Sequence, residues 1–369
     1  MQRFVRSNKY MNMTEQMKEI MKAGSLDGVL ITDPFSLRYY TGFRGGEGIA
    51  LSVADEHILY VDSRYTEAAS QEVKEAESGF TVIEYNHAKP LYELLREQLK
   101  RANAAKVGFE DRSMTCSTFT KFVKELQVKL VPLEDALTIP RQIKTEEELD
   151  LLRKAEAIGD QAFSHILTIL RPGITELEVA AELEYAMKKA GASGLSFDTI
   201  VASGFHSAMP HAIPTDKKLE QGDFVTMDFG CIYQGYCSDM TRTVVIGKAD
   251  AEQRKVYETV LAAHLRAMEG LKPGMKCLDV DKIARDHIRD AGYGDYFGHG
   301  LGHSVGLYIH ESPALNTRDE TVLRPGMIET IEPGIYIPGF GGVRIEDMGV
   351  VTEEGYETFA SSPKELIEL

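Results

Sequence analysis

Two aspartates set inside strand-forming runs constrain this chain more than any other feature. Residues 223–246, DFVTMDFGCIYQGYCSDMTRTVVI, are rich in β-branched and aromatic residues and turn near Gly235, so they read as a hairpin. Asp228 and Asp239 fall at interior strand positions, and a turn centred between Tyr233 and Gln234 sets them opposite each other across the ladder. Directly opposed carboxylates destabilise an antiparallel pair. Two of them on one face of a sheet call for a cation between them.

Further ligand types follow on other strand-like segments. Residues 299–310, HGLGHSVGLYIH, carry His299, His303 and His310, and their glycines argue against a regular helix. Glu332 lies in ETIEPGIYI and Glu346 in GGVRIEDMG. Each follows an isoleucine, so each is expected to project to the face opposite an apolar neighbour. Asp228, Asp239, His303, Glu332 and Glu346 together offer four carboxylates and one imidazole. Oxygen-dominated sites suit ions such as Mn²⁺, and imidazole also admits Co²⁺, Fe²⁺ or Zn²⁺. Four negative charges balance two divalent ions. Without metal, such a cluster suffers like-charge repulsion and desolvation, and some carboxyls must stay protonated. A metal pair can generate a nucleophile from water and stabilise an oxyanion. His206, His264 and His287 read as surface or packing histidines, whereas the Pro210-His211-Ala212 context favours a functional role for His211.

The organisation along the chain is two-part. A length of 369 residues suggests two domains. Up to about residue 140, helical patterns (14–23, 65–75, 90–102) alternate with strand patterns (28–32, 48–54, 57–63, 81–85, 106–110), the second and third strands joined by a turn at Asp55-Glu56. This predicts an α/β domain with a largely covered sheet over residues 1–140. The segment IPRQIK then gives way to Thr145-Glu146-Glu147-Glu148, a capping-box pattern that opens a helix running to about Leu170. Helices over 175–189, 252–270 and 277–291 alternate with Gly-, Thr-, Val- and Ile-rich stretches at 194–246 and 297–360. Residues 145–369 are therefore expected to form an α+β domain.

Charge and cysteine usage narrow the function. Against 41 Lys and Arg stand 57 Asp and Glu, a formal net charge of −16. Such a surface repels phosphate backbones and anionic headgroups, which argues against nucleic-acid or membrane partners. The opening MQRFVRSNKYMNM has basic residues but no apolar run behind them, so it does not read as a secretory signal, and a cytoplasmic location is expected. Cys116, Cys231, Cys237 and Cys277 form no CxxC pair and are expected to be reduced, buried thiols.

The sequence resembles the Xaa-Pro peptidases of the pita-bread metallopeptidase family, which includes prolidase, aminopeptidase P and methionine aminopeptidase. The resemblance rests on IVASGFHSAMPHA (200–212), MDFG…SDMTRT (227–243), HGLGHSVGLYIHESP (299–313), TIEPGIYIPG (330–339) and VRIEDMG (343–349), and in the first domain on TDPFSLRYYTGF (32–43) and VDSRYTEAA (61–69). It implies a creatinase/prolidase-like α/β N-terminal domain and a pita-bread catalytic domain. It further implies that Asp228 holds one metal, that Asp239 and Glu346 bridge two, and that His303 and Glu332 complete the other. Glu332 would also transfer the proton, and His310 would stabilise the tetrahedral intermediate. His211 and His299 would line the proline side, and Arg344 would contact substrate or order a carboxylate. The implied reaction is hydrolysis of the bond between an N-terminal residue and proline, most simply as a prolidase-like dipeptidase. The implied cofactors are two divalent ions, manganese first, and the implied assembly is a homodimer.

Alternatives stay open at this point. Aminopeptidase P would cleave longer peptides. A creatinase-like enzyme would work without metal, and a non-catalytic relative would only hold a peptide, but both classes usually lose residues that are intact here. Methionine aminopeptidase normally lacks the first domain. Two departures from the family pattern stand out. Glu329 occupies a position where relatives more often carry an apolar residue, and either a solvent-facing or a site-facing placement is open. The RGGEG loop (44–48) differs from the small-residue version expected in relatives, where it can approach a partner's active site.

Overall fold

The computed structural model describes residues 13–369. All but the last residue of the opening stretch considered above for a secretory signal lies outside them. The chain divides into two compact units, one ending at Arg141 and the other running from Gln142 to Leu369. Among the described residues, no helix is long and apolar enough to cross a membrane.

The first unit is built on a six-stranded sheet in the order Thr81–Tyr85, Glu56–Asp62, Ile49–Val53, Gly28–Ile31, Lys106–Phe109, Lys129–Pro132. Its three central strands are antiparallel and its outer pairs parallel. Both faces are covered. Val29 and Ile31 pack with Met17, Leu37 and Val73 on one side. Leu30 packs with Leu95, Leu99, Phe122 and Leu126 on the other. That period-2 split is what a covered sheet requires.

Several local expectations need correction here. The strand register Val53↔Glu56 puts the tight turn at Ala54-Asp55, not Asp55-Glu56, with Ala54 at φ 50. Two further helices, Pro34–Thr41 and Cys116–Leu126, and the edge strand Lys129–Pro132 complete the layer. Cys116 is exposed, because it opens the second of these helices away from the stripe, Phe122 and Leu126, that faces the sheet. All four cysteines are free, and the other three are buried. In the 44–48 loop, Arg44 pairs with Glu72 and Glu75, and Glu47 with Arg64, all within the first unit.

In the second unit, helix Glu146–Ile166 opens on the expected capping box, Thr145 with Glu148, and Glu176–Lys189 opens on another, Thr175 with Glu178. This helix pair covers one side of the strands Ile200–Ser203, Phe224–Phe229 and Met240–Val245, through Val201, Val225, Met227 and Val244. A second helix pair, Ala251–Gly270 and Cys277–Asp290, packs on Leu301, Leu315, Ile331, Ile335, Val343 and Ile345. Each apolar strand residue under a helix alternates with a polar one facing the other way. Met227/Asp228, Ile331/Glu332 and Ile345/Glu346 are such pairs, so burying the first aims the second at a shared interior.

A charge network closes this unit. Asp347, fully buried, accepts from Arg242 at 2.7 Å, from His264 at 3.0 Å and from Lys364 at 2.9 Å. Arg242 also donates to the carbonyls of Glu346 and Ser362, tying the hairpin to the C-terminal tail. His264 is therefore a structural histidine, as is His206, which lies 2.9 Å from Glu176.

Candidate metal centre

The hairpin register differs from the expected one. Asp228 pairs with Thr241, and Tyr233 with Tyr236, so the turn lies at Gln234-Gly235, whose φ values are 44 and 85. Positive φ at both central residues is the hairpin turn compatible with strand twist. Asp228 and Asp239 are thus not directly opposed. Thr241 and Asp239 are two residues apart, however, so the displacement preserves parity, and both aspartates line the same cavity.

That cavity, about 530 Å³, is lined by all nine residues singled out above: Asp228, Asp239, His303, Glu332, Glu346, His211, His299, His310 and Arg344. Asp239, His303 and Glu346 each offer a ligand atom within 4.8 Å of the others. His303 Nε2 is 3.5 Å from both Asp239 and Glu332. Asp228 is turned toward Arg344, at 2.7 Å, and its other oxygen is buried with no hydrogen-bond partner among the described residues.

His303 is set by close backbone packing. A Cβ on Gly302 would lie 1.9 Å from the Thr330 carbonyl oxygen, so only glycine lets this strand reach Thr330. His303 N–H donates to Thr330 Oγ1, and Glu332 N–H to the Leu301 carbonyl. With Nδ1 donating to the Ser304 carbonyl at 3.2 Å, the imidazole turns its Nε2 lone pair toward carboxylate oxygens. Lone pairs facing lone pairs at 3.5 Å are a ligand set that fits a cation. The electrostatics agree. Burial, with the mutual repulsion of the cluster, pushes Asp239 and Glu346 well above the carboxylate range. Burial pushes Glu332 up to about 8, against the pull of Arg344. Burial lowers His303 to about 4, which keeps the imidazole neutral as a ligand must be.

The remaining groups complete the cavity wall. His310 is exposed, with its ring edge-on to His303 at 4.6 Å, and burial of part of the ring lowers its pKa. His299 donates from Nδ1 to the Gly300 carbonyl, so Nε2 accepts from the Tyr336 hydroxyl at 2.9 Å. Arg344 donates to that same hydroxyl and to Thr241 Oγ1, which in turn donates to Glu346 at 2.6 Å. Tyr336, Thr241, Asn316 and Arg318 were not singled out by sequence reasoning. Tyr336 carried a signal, since it alternates with the buried Ile335 next to Glu332.

Glu329 faces neither solvent nor the cavity. It is fully buried on the helix-covered side of its strand, and among the described residues neither carboxylate oxygen has a hydrogen-bond partner. Burial holds its pKa well above the usual glutamate value, only partly offset by Lys144. A raised folded-state pKa costs stability as pH rises from the ordinary glutamate value toward the raised one. Glu329→Leu is therefore expected to stabilise the protein by about 1–3 kcal/mol at neutral pH and to flatten that pH dependence, read by urea unfolding at pH 5 and pH 8. An unchanged or lower midpoint would contradict this placement.

Residues 150–353 match the model of metallopeptidase family M24, and residues 13–143 match the creatinase/prolidase N-terminal domain. The chain belongs to metallopeptidase family M24. It is 41% identical over 355 residues to a Pyrococcus furiosus Xaa-Pro dipeptidase, covering 96% of this chain and 99% of that one. The solved structure of a Bacillus anthracis Xaa-Pro dipeptidase superposes with a TM-score of 0.93 at 43% identity, covering 97% and 99%. That of a Thermotoga maritima X-Pro aminopeptidase gives 0.88 at 35%, covering 96% and 99%. The fold is accordingly an α/β creatinase/prolidase-type domain followed by an α+β pita-bread domain.

Proposed function

We propose that this M24 metallopeptidase hydrolyses the bond between an N-terminal residue and proline, with Xaa-Pro dipeptides as preferred substrates, and that residues 145–369 form the catalytic domain. The observation that carries the reading is the convergence of four carboxylates and one imidazole on one cavity beside three further histidines. The names of the relatives support the proline preference.

In this reading Asp228, Asp239, His303, Glu332 and Glu346 hold two divalent ions, manganese first, with cobalt, zinc or iron admissible. When bound, such ions polarise the scissile carbonyl and acidify water. The chain's own residues do the rest. Glu332 takes the proton of the attacking water and passes it to the departing proline nitrogen. That nitrogen must gain a proton as the C–N bond breaks, because it leaves as an amine. His310 donates to the developing oxyanion. His211 and His299 line the proline side, and the Tyr336 hydroxyl fixes the His299 ring. Arg344 holds Asp228 and, through Thr241, the Glu346 carboxylate in place. We further propose that the protein works in the cytoplasm as a homodimer.

The retained ligand set disfavours a metal-independent creatinase-like reaction and a purely peptide-holding role. The likeness to the Thermotoga protein favours one second reading, cleavage of longer Xaa-Pro peptides. A rate comparison separates them. Metal-loaded protein is expected to cleave Ala-Pro faster than Ala-Pro-Xaa-Xaa peptides. Faster cleavage of the longer series would replace the dipeptidase reading with the aminopeptidase one.

A further inference from the structure

His211 stands on a segment whose small residues Ser207 and Ala212 are buried but whose large apolar side chains are not. Residues 204–215 leave the strand Ile200–Ser203 and pass through a 3₁₀ turn, Gly204–Ala208. Phe205, Met209 and Ile213 on this segment are 65%, 49% and 79% exposed. With its large apolar side chains in solvent, the segment must be held by polar bonds if His211 is to keep one position.

Those bonds converge on one side chain. Glu176, in the first turn of the helix Glu176–Lys189, is fully buried. Its Oε1 accepts from Ser203 N–H at 2.7 Å and from the Ser203 hydroxyl at 2.8 Å. Its Oε2 accepts from Thr215 N–H at 3.1 Å and from the Thr215 hydroxyl at 2.7 Å. His206 Nδ1 lies 3.0 and 2.9 Å from the two oxygens. Two positions before His211, Ser203 and His206, and one after it, Thr215, are thus tied to a single carboxylate. Lys217 supports the Ser203 arm, donating to Ser203 Oγ at 2.9 Å while it pairs with Asp223 at 2.7 Å. Burial raises the Glu176 pKa, but the bonds from His206, Thr215 and Ser203 win and hold it below the ordinary value. On its inner side the segment meets the cavity. The Pro210 carbonyl accepts from Arg344 at 3.3 Å, and Ser207 Oγ accepts from Gly342 N–H at 2.8 Å.

We propose that Glu176 is a positioning residue: it clamps the segment 203–215 at Ser203, His206 and Thr215 and so holds His211 at the wall of the substrate cavity. The proposal rests on the Xaa-Pro reading for its kinetic consequence but not for its structural one, and two measurements separate them. The first is hydrogen–deuterium exchange of the full-length protein. Glu176→Gln puts an amide donor among donors, so amides of 204–215 are expected to exchange at least tenfold faster, with the strands Phe224–Phe229 and Met240–Val245 unchanged. Unchanged exchange in 204–215 would overturn the clamp whatever the protein hydrolyses. The second is a double-mutant cycle on Ala-Pro hydrolysis. E176Q is expected to lower kcat/KM at least tenfold with metal content unchanged, and to cost less than twofold in a His211→Ala background. Multiplicative effects of E176Q and H211A, or loss of metal in E176Q, would overturn action through His211. Should E176Q fail to fold, Thr215→Val removes one arm of the clamp and carries both measurements, with the same outcomes deciding.

Discussion

Glu332→Gln is expected to lower kcat on Ala-Pro by about 10²- to 10⁴-fold, the range associated with a lost proton-transfer group. Glutamine keeps an oxygen that can ligate a cation but cannot accept a proton. The loss should therefore fall on kcat, with KM little changed. Metal content measured on the same sample separates the two duties of the residue. A variant that keeps its metal and still turns over at the wild-type rate would remove Glu332 from the proton path. The geometry behind the expectation is that Glu332 sits 3.5 Å from His303 and accepts from Thr330 Oγ1 at 3.3 Å.

The second large effect concerns stability. Asp347→Ala is expected to destabilise the C-terminal unit by about 3–5 kcal/mol, because it strands Arg242 in the interior without its counter-charge and leaves His264 without its hydrogen-bond partner. Both partners are essentially inaccessible, and Arg242 is among the largest fully buried side chains of the chain. Urea unfolding measures the loss, and a midpoint shift equivalent to less than 1 kcal/mol would contradict it. The pH dependence has a definite sign. Burial raises the Asp347 pKa, but Arg242, His264 and Lys364 hold it far below the usual carboxylate range. A depressed folded-state pKa gives stability that is complete above the unfolded value of about 4 and is lost as pH falls below it. The gap between wild type and variant should thus be constant from pH 6 to 8 and narrow in acid. Asp347 adjoins Glu346, so the same network that holds the fold also fixes the backbone from which a candidate ligand projects.

Much of this site is legible in the residues themselves, for physical reasons. Ile331-Glu332 and Ile345-Glu346 announce a strand whose one face must be buried and whose other face carries charge. Thr145 with Glu148 marks the start of the long helix because its orphan N–H groups need that acceptor. Other features depend on partners distant in the chain. The hairpin turn falls at Gln234-Gly235 rather than one position earlier, a choice made by turn conformation and not by the hydrophobic pattern, which repeats every two residues. The helix Pro34–Thr41 is only eight residues long and stands on packing, although Asp33 as cap and Pro34 at the first position were available signals. Tyr336 acquires its role only when Arg344 and His299 arrive on either side of its hydroxyl. Glu329 breaks the local rule that a buried strand position is apolar, and among the described residues no hydrogen-bond partner satisfies it.

The most direct measurement is the unfolding temperature and metal stoichiometry of chelator-stripped protein titrated with Mn²⁺, alongside Asp239→Asn. A cation that binds only the native state raises stability by RT ln(1 + [L]/Kd), about 2.7 kcal/mol at a hundredfold excess over Kd. The expected result is two equivalents bound per chain, a rise in unfolding temperature and recovery of Ala-Pro hydrolysis, all lost in the variant. Identical unfolding of stripped and titrated protein, with no metal retained and Ala-Pro hydrolysis undiminished, would contradict a metal centre built from these five side chains.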